Sequence, residues 1–86
     1  MKDYPKHRTD VSVRVVDNET IVLDRQQGLI HQFNSTASYI WERCDGQSTV
    51  ADIAQQFMKE FSISFDIAET DIRRVIEQLE KLNLLE

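Results

Sequence analysis

The chain has 86 residues, of which 41% are hydrophobic and 29% charged, and its net charge is −5 at pH 7. A chain of this length forms one small domain with a modest core, which disfavours an independent enzyme that needs both a pocket and a supporting framework. The acidic balance argues against nucleic acids as partners, because their phosphates bind basic surfaces.

The first ten residues, MKDYPKHRTD, mix charged side chains with a proline and show no hydrophobic period. We expect residues 1–10 to be a flexible tail ahead of a single domain that comprises residues 11–86. The tail lacks the apolar run of a secretory signal, and no run in the chain is long enough to span a membrane. Together with a single cysteine, these features favour a cytoplasmic protein.

Three short strand-like segments follow, and in the first of them valines alternate with Ser12 and Arg14. Residues 11–16, VSVRVV, predict a half-buried strand, and residues 21–24, IVLD, predict a second strand. The third strand is LIHQF, residues 29–33, and Gly28 supplies the positive φ that favours a turn before it. The short loops favour an antiparallel meander.

The hydrophobic period then changes from two to 3.6, which predicts a helix. Asn34, Ser35 or Thr36 can cap this first helix, and Asp45-Gly46 ends it. Its hydrophobic stripe consists of Ala37, Ile40, Trp41 and Cys44.

Two further helices are predicted after this turn. Thr49 and Asp52 form a variant capping box for the second helix, and Asp66 marks the start of the third. The second stripe consists of Val50, Ile53, Ala54, Phe57 and Phe61. The third consists of Ala68, Ile72, Val75, Ile76, Leu79 and Leu82. Three strands followed by three helices define an α+β fold, in which the third strand is a free edge of the sheet.

No combination of residues points to catalysis or to a metal site. Cys44 lies on the hydrophobic stripe of the first helix and is interpreted as a small buried residue. His7 and His31 have no second ligand close by in the sequence, and the two glycines are too far apart to form a phosphate-binding loop. We therefore predict no enzyme activity and no cofactor.

The main alternative is a small winged-helix transcriptional regulator, because the first two helices and their Asp-Gly turn resemble a helix-turn-helix. The second helix, VADIAQQFMKEF, carries one basic residue, Lys59, near its C-terminal end. A recognition helix presents basic and amide side chains near its N-terminus, and in the second helix only Gln55 and Gln56 are available for this role. A third hypothesis is a subunit-interaction module without a peptide ligand.

The stretch FNSTASYIWERCDGQSTVADI resembles the PqqD family of peptide-binding domains, also named RiPP recognition elements. The matching residues are Phe33-Asn34, Thr36-Ala37, Ile40-Trp41, Asp45-Gly46, Thr49-Val50 and Ile53. Ala37 departs from the family pattern, in which many members carry glycine. The upstream stretch LDRQQGLIHQF looks like the family's second hairpin, and the third helix, which ends in LEKLNLLE, also fits, so the resemblance covers residues 11–86.

The resemblance implies a winged-helix-like fold that binds the leader segment of a ribosomally made precursor peptide. The fold would present that peptide to a modifying enzyme, which is a radical-SAM protein in pyrroloquinoline quinone synthesis. The peptide would add as an extra strand to the third strand, beside the third helix.

The candidate peptide-binding residues are Leu29, Ile30, His31, Gln32, Phe33, Asp71, Val75, Gln78 and Leu82. The last four of these lie on one flank of the third helix. We choose this flank because the other one, with Glu69, Arg73 and Glu80, is charged and suits solvent.

Overall fold

The computed structural model describes residues 3–86 and has three strands followed by three helices. The strands are β1 (Ser12–Val16), β2 (Glu19–Asp24) and β3 (Leu29–Phe33). The helices are α1 (Ser35–Arg43), α2 (Val50–Phe61) and α3 (Phe65–Lys81). This order confirms the predicted α+β class, with its sheet ahead of three helices.

The sheet is a meander in the order β1-β2-β3, and both neighbouring pairs are antiparallel. A two-residue turn joins β1 to β2, and its residues Asp17 and Asn18 have φ values of 52° and 66°. Positive φ at both positions is typical of a type I′ turn, whose twist matches that of the strands. β1 and β3 are the two edge strands.

All five residues of β1 are exposed, so the prediction of a half-buried strand is wrong. Val13 and Val15 lie on the face of the sheet that meets the helices, yet they are 47% and 54% exposed. The reason is position, because α1 packs against β2 and β3, whereas β1 contacts only β2 among the described elements. The alternating pattern located this strand but did not determine its burial.

Side-chain caps fix the start of each helix. Asn34 caps α1, and Thr49 and Asp52 form the predicted capping box of α2 with two reciprocal bonds of 3.1 Å. α3 starts slightly earlier than predicted, because the cap is Ser64 and not Asp66. These side chains satisfy backbone N–H groups that the first turn of a helix leaves free.

The core lies between the sheet and the helices and includes Trp41, which is 2% exposed. Its ring stacks on that of His7, with 4.3 Å between ring centroids, and lies 5.6 Å from the ring of Phe33. The other buried hydrophobic residues are Val22, Ile40, Cys44, Val50, Ile53, Ala54, Phe57, Ala68, Ile72, Ile76, Leu79 and Leu84. The predicted helical stripes supply most of them.

The segment before β1 is paired with the rest of the molecule, unlike the free tail that the sequence predicts. Lys6 forms a β-bridge with Asp45 in the α1–α2 turn, and His7 forms one with Leu85. The N–H of His7 also donates to the carbonyl of Cys44 at 2.8 Å. The backbone partners come from segments distant in sequence, which explains why no local pattern reveals the pairing. The first two residues of the expected tail lie outside the described residues.

Gly46 permits this pairing. Its φ is 82°, a left-handed conformation that side chains rarely adopt, and a Cβ atom at this position would lie 3.1 Å from the side chain of Lys6. Glycine therefore provides both the turn after α1 and the close approach of the N-terminal segment.

An ion pair between Arg8 and Asp24 ties the same segment to the end of β2. Nη1 of Arg8 donates to the buried carboxylate of Asp24 at 2.7 Å and to the carbonyl of Asn83 at 3.1 Å. Burial alone would raise the pKa of Asp24, but hydrogen bonds from Gln27 and Arg8 outweigh it and hold that pKa below its ordinary value. The guanidinium of Arg8 thus joins three separate segments of the chain.

Replacing Trp41 by alanine should destabilise the fold by about 3–5 kcal/mol, the usual range for truncating a large buried aromatic residue. The substitution removes the ring that contacts both His7 and Phe33. Urea unfolding followed by circular dichroism measures the change, with the exposed Gln55→Ala as a control on α2. An unchanged free energy of unfolding would contradict a core role for Trp41.

Replacing Asp24 by asparagine should lower stability at neutral pH and have less effect in acid. The amide keeps the shape of the carboxyl but leaves the charge of Arg8 without its buried partner. Because the folded pKa of Asp24 is lowered, its stabilisation is complete above the unfolded pKa of about 3.9 and is lost as pH falls through the folded value. Thermal melts of the two proteins should therefore converge at the acid end of a pH series.

Asp10→Asn is the matched comparison, since this carboxylate also binds Arg8 but is half exposed. Its effect should be smaller, because solvent screens an exposed ion pair. If both substitutions lower the melting temperature equally, the buried carboxylate of Asp24 contributes no more to stability than the exposed carboxylate of Asp10.

Candidate functional site

A mainly apolar groove of about 390 Å³ lies between β3 and α3. Its lining residues are Gln32, Phe33, Ala37, Val75, Gln78, Leu79, Lys81 and Leu82. Lys81 is the one charged residue in this set. The groove is therefore not acidic, although the chain as a whole carries −5.

The wall formed by α3 follows from the helical period. Val75, Gln78 and Leu82 are spaced so that they share one flank of the helix. Val75 and Leu82 are partly buried, while Leu79 beside them reaches the core and is 2% exposed. The opposite wall is Phe33, whose ring rests near Trp41.

The hydrogen-bonding edge of β3 can be assigned from the register. Val16 and Glu19 flank the two-residue turn and form a hydrogen-bonded pair, so alternate residues of β2 from Glu19 onward bond β1. The intervening residues of β2 bond β3, where their partners are Leu29, His31 and Phe33. It follows that the N–H and C=O groups of Ile30 and Gln32 point away from the sheet along the open edge.

The structure brings five of the predicted peptide-binding residues into the groove, namely Gln32, Phe33, Val75, Gln78 and Leu82. Leu29 and Ile30 belong to the same edge strand and are exposed. Asp71 lies on the chosen flank but outside the groove lining, and its Oδ1 is 3.7 Å from Nη1 of Arg74. The other flank, with Glu69, Arg73 and Glu80, contributes nothing to the lining.

His31 packs on the inner face of the sheet and does not line the groove. It pairs with Val22, and its Nε2 atom is buried without a hydrogen-bond partner among residues 3–86. Its ring lies parallel to that of Phe33, with centroids 6.5 Å apart.

Three groove residues were not among the predicted ones. Ala37 follows the α1 cap, and its exposure to the groove depends on how α1 is placed against α3, which no local pattern encodes. Leu79 was predicted as core, and it lines the groove from that position. Lys81 lies three residues after the predicted Gln78 and therefore on the same side of α3, so the helical period could have suggested it.

The remaining reactive side chains offer no second site. Cys44 is fully buried, and burial together with the nearby Asp45 raises the pKa of its thiol to about 12, which keeps it protonated. Within residues 3–86 no group of three or more His, Cys, Asp or Glu side chains is arranged to hold a metal ion. None of the helices in this range is long and apolar enough to cross a membrane.

The fold and the groove define a winged-helix-like α+β domain with an open strand edge beside an apolar cleft. The family model for coenzyme PQQ synthesis protein D (PqqD) matches residues 19–85, and the chain belongs to this family. The resemblance found in the sequence is thereby confirmed. None of the curated proteins compared with the chain matches it.

Solved structures share this fold over nearly the whole chain. The structure of TbiB1 in complex with the TbiA(beta) leader peptide is 25% identical, has a TM-score of 0.85 and matches over 94% of both chains. Lasso peptide synthetase B1 complexed with the leader peptide is 28% identical, with a TM-score of 0.84 over 96% of this chain and 98% of that one.

A third structure shows the same fold at lower identity. It is the solution structure of the PqqD truncation of Methylobacterium extorquens PqqCD, described as a stand-alone RiPP recognition element. Its identity is 23% and its TM-score 0.74, over 95% of this chain and 87% of that chain.

Proposed function

We propose that the protein binds the leader segment of a ribosomally synthesised precursor peptide as a fourth strand against β3 and presents it to a modifying enzyme. The observation that carries this proposal is the open edge of β3 directly beside an apolar groove. Two similar structures, at 25% and 28% identity, are complexes with leader peptides, which supports the same class of ligand here.

Strand addition uses the edge groups of β3. The N–H and C=O groups of Ile30 and Gln32 would bond the peptide backbone, and these bonds tolerate many sequences. Alternate side chains of the added strand, spaced by roughly 7 Å, would then point into the groove. The α3 wall from Val75 to Leu82 rises by about 10 Å, which accommodates two such side chains.

The groove lining would select the peptide. Val75, Leu79 and Leu82 favour apolar side chains, because burial of apolar surface is the main source of affinity in such a cleft. Gln78 can bond a polar group at the rim, and Lys81 favours a carboxylate near this end of the groove.

In this proposal the protein is a binding module without its own catalytic activity. The two leader-bound relatives support this role, and the buried thiol of Cys44 is unsuited to act as a nucleophile. The chemistry would belong to a cytoplasmic partner enzyme. Our candidate is a radical-SAM protein, because the matching family takes its description from coenzyme PQQ synthesis.

A DNA-binding role for α2 is less well supported. The first turn of α2, where a recognition helix reads bases, holds Asp52 in the capping box. A carboxylate at this position would repel phosphates. A double-stranded DNA arm in the binding assay described next addresses this alternative directly.

Replacing Ile30 by proline should abolish leader binding with little unfolding, because it removes an N–H that faces the open edge and not the ladder. The measurement is an amide-shift titration with the cognate leader peptide. In the native protein the shifts should cluster on residues 29–33 and along the Val75 to Leu82 flank.

His31→Pro is the matched control, since it removes a ladder bond to β2 and should unfold the sheet. If Ile30→Pro binds the leader as tightly as the native protein, strand addition to β3 is wrong. Shifts confined to residues 48–60, or binding of DNA in place of the leader, would favour the helix-pair hypothesis.

Replacing Val75 by aspartate should weaken leader binding by about tenfold or more, equivalent to about 1.4 kcal/mol. The substitution places an unpaired charge on the apolar wall that faces the peptide. Calorimetric titration measures the change. The control is Ile67→Asp, the same kind of change on α3 at a residue that is 54% exposed and outside the groove. Equal affinities for the two variants would contradict the proposed wall.

A further inference from the structure

The outer face of the sheet, opposite the helices, carries an exposed apolar surface. The register places Ile21, Leu23 and Ile30 side by side on it. Ile30 is 72% exposed, the highest value among the large hydrophobic residues exposed in the described range. A concavity of about 400 Å³ at this face is lined by Ser12, Arg14, Ile21, Leu23, Arg25 and Ile30, together with Val13, which the register assigns to the inner face of β1. We refer to Arg14, Ile21, Leu23, Arg25 and Ile30 as the outer-face surface.

Two arginines flank this apolar surface, although the chain carries −5. Arg14 lies on β1 opposite Ile21 of β2, and Arg25 directly follows the end of β2. Within residues 3–86, neither side chain forms an ion pair or a hydrogen bond. The carboxylate of Glu19, at the other end of this face, accepts a hydrogen bond of 2.8 Å from Gln32. The outer-face surface is therefore apolar with unneutralised positive charge.

This combination favours an acidic partner and disfavours a second copy of the chain. In a two-fold dimer the same patch meets itself, which would bring arginines towards arginines. A segment that combines apolar residues with carboxylates would bury the exposed apolar side chains and pair with both guanidinium groups.

We propose that the outer-face surface docks an apolar segment, flanked by carboxylates, of the enzyme that modifies the peptide. The proposal rests on the proposed function for its partner, and geometry connects the two sites. A leader strand added to β3 would extend the sheet, so that its outward side chains lie beside Ile30. The enzyme would thus contact the sheet and the bound leader on one continuous face, while the groove on the other side retains the leader.

The test measures binding of the purified cognate modifying enzyme by surface plasmon resonance in the absence of the leader. Arg14→Glu and Arg25→Glu should each weaken the enzyme complex by about tenfold. Most of the loss should be in the association rate and should diminish at high salt, because the charges lie at the rim of the contact. Leu23→Thr, which keeps strand propensity, should accelerate dissociation.

Lys59→Glu, an equal charge reversal at an exposed position on α2, is the matched control and should leave enzyme affinity within about twofold. Thermal melts establish that each variant is folded. Unchanged enzyme affinity in the arginine and Leu23 variants, equal weakening by Lys59→Glu, or no enzyme binding by the native chain would overturn the inference. Sedimentation of the native chain as a dimer that Arg14→Glu dissociates would also overturn it, in favour of a second copy.

Leader affinity is measured separately for every variant. It should stay within about twofold of the native value for Arg14→Glu and Arg25→Glu, since neither residue lines the groove. A native chain that binds the enzyme but no leader would refute the proposed function and leave this docking surface standing. A native chain that binds the leader but no enzyme would refute the docking surface and leave the proposed leader binding standing.

Discussion

The stacking of Trp41 is the contact on which the rest of the structure depends. This one ring meets His7 from the N-terminal segment and Phe33 from the end of β3, and it belongs to α1. Because Phe33 also forms a wall of the groove, the shape of the candidate site is set by core packing. A binding surface supported in this way is preorganised, so less ordering is needed when a ligand arrives.

The sheet separates two kinds of surface on its two faces. Its inner face supports the helices and opens into the groove at β3, whereas its outer face is apolar, flanked by arginine and free of helices. β1 and β3 are both edges, but the wall that α3 forms lies beside β3, whereas the cleft beside Val15 of β1 is walled by α1 and α2. The position of α3 distinguishes the two edges.

Much of the fold could be predicted from the sequence because its signals are local. Element order follows from the change of hydrophobic period, and the Thr49–Asp52 box is encoded within four residues. Along α3, helical spacing alone placed Val75 and Leu82 on one flank, and both line the groove. The burial of β1, the pairing of His7 with Leu85 and the groove position of Ala37 depend on contacts between distant segments. No periodicity encodes such contacts.

The pairing of the first and last segments has a consequence for protein engineering. His7 bridges Leu85, and the carbonyl of Lys6 accepts a bond of 2.7 Å from the N–H of Glu86, so these two segments of the domain lie side by side. A domain with adjoining ends can be spliced into a loop of a host protein without being stretched. This geometry suits the domain to serve as a portable unit within a larger chimeric chain, with short linkers on both sides.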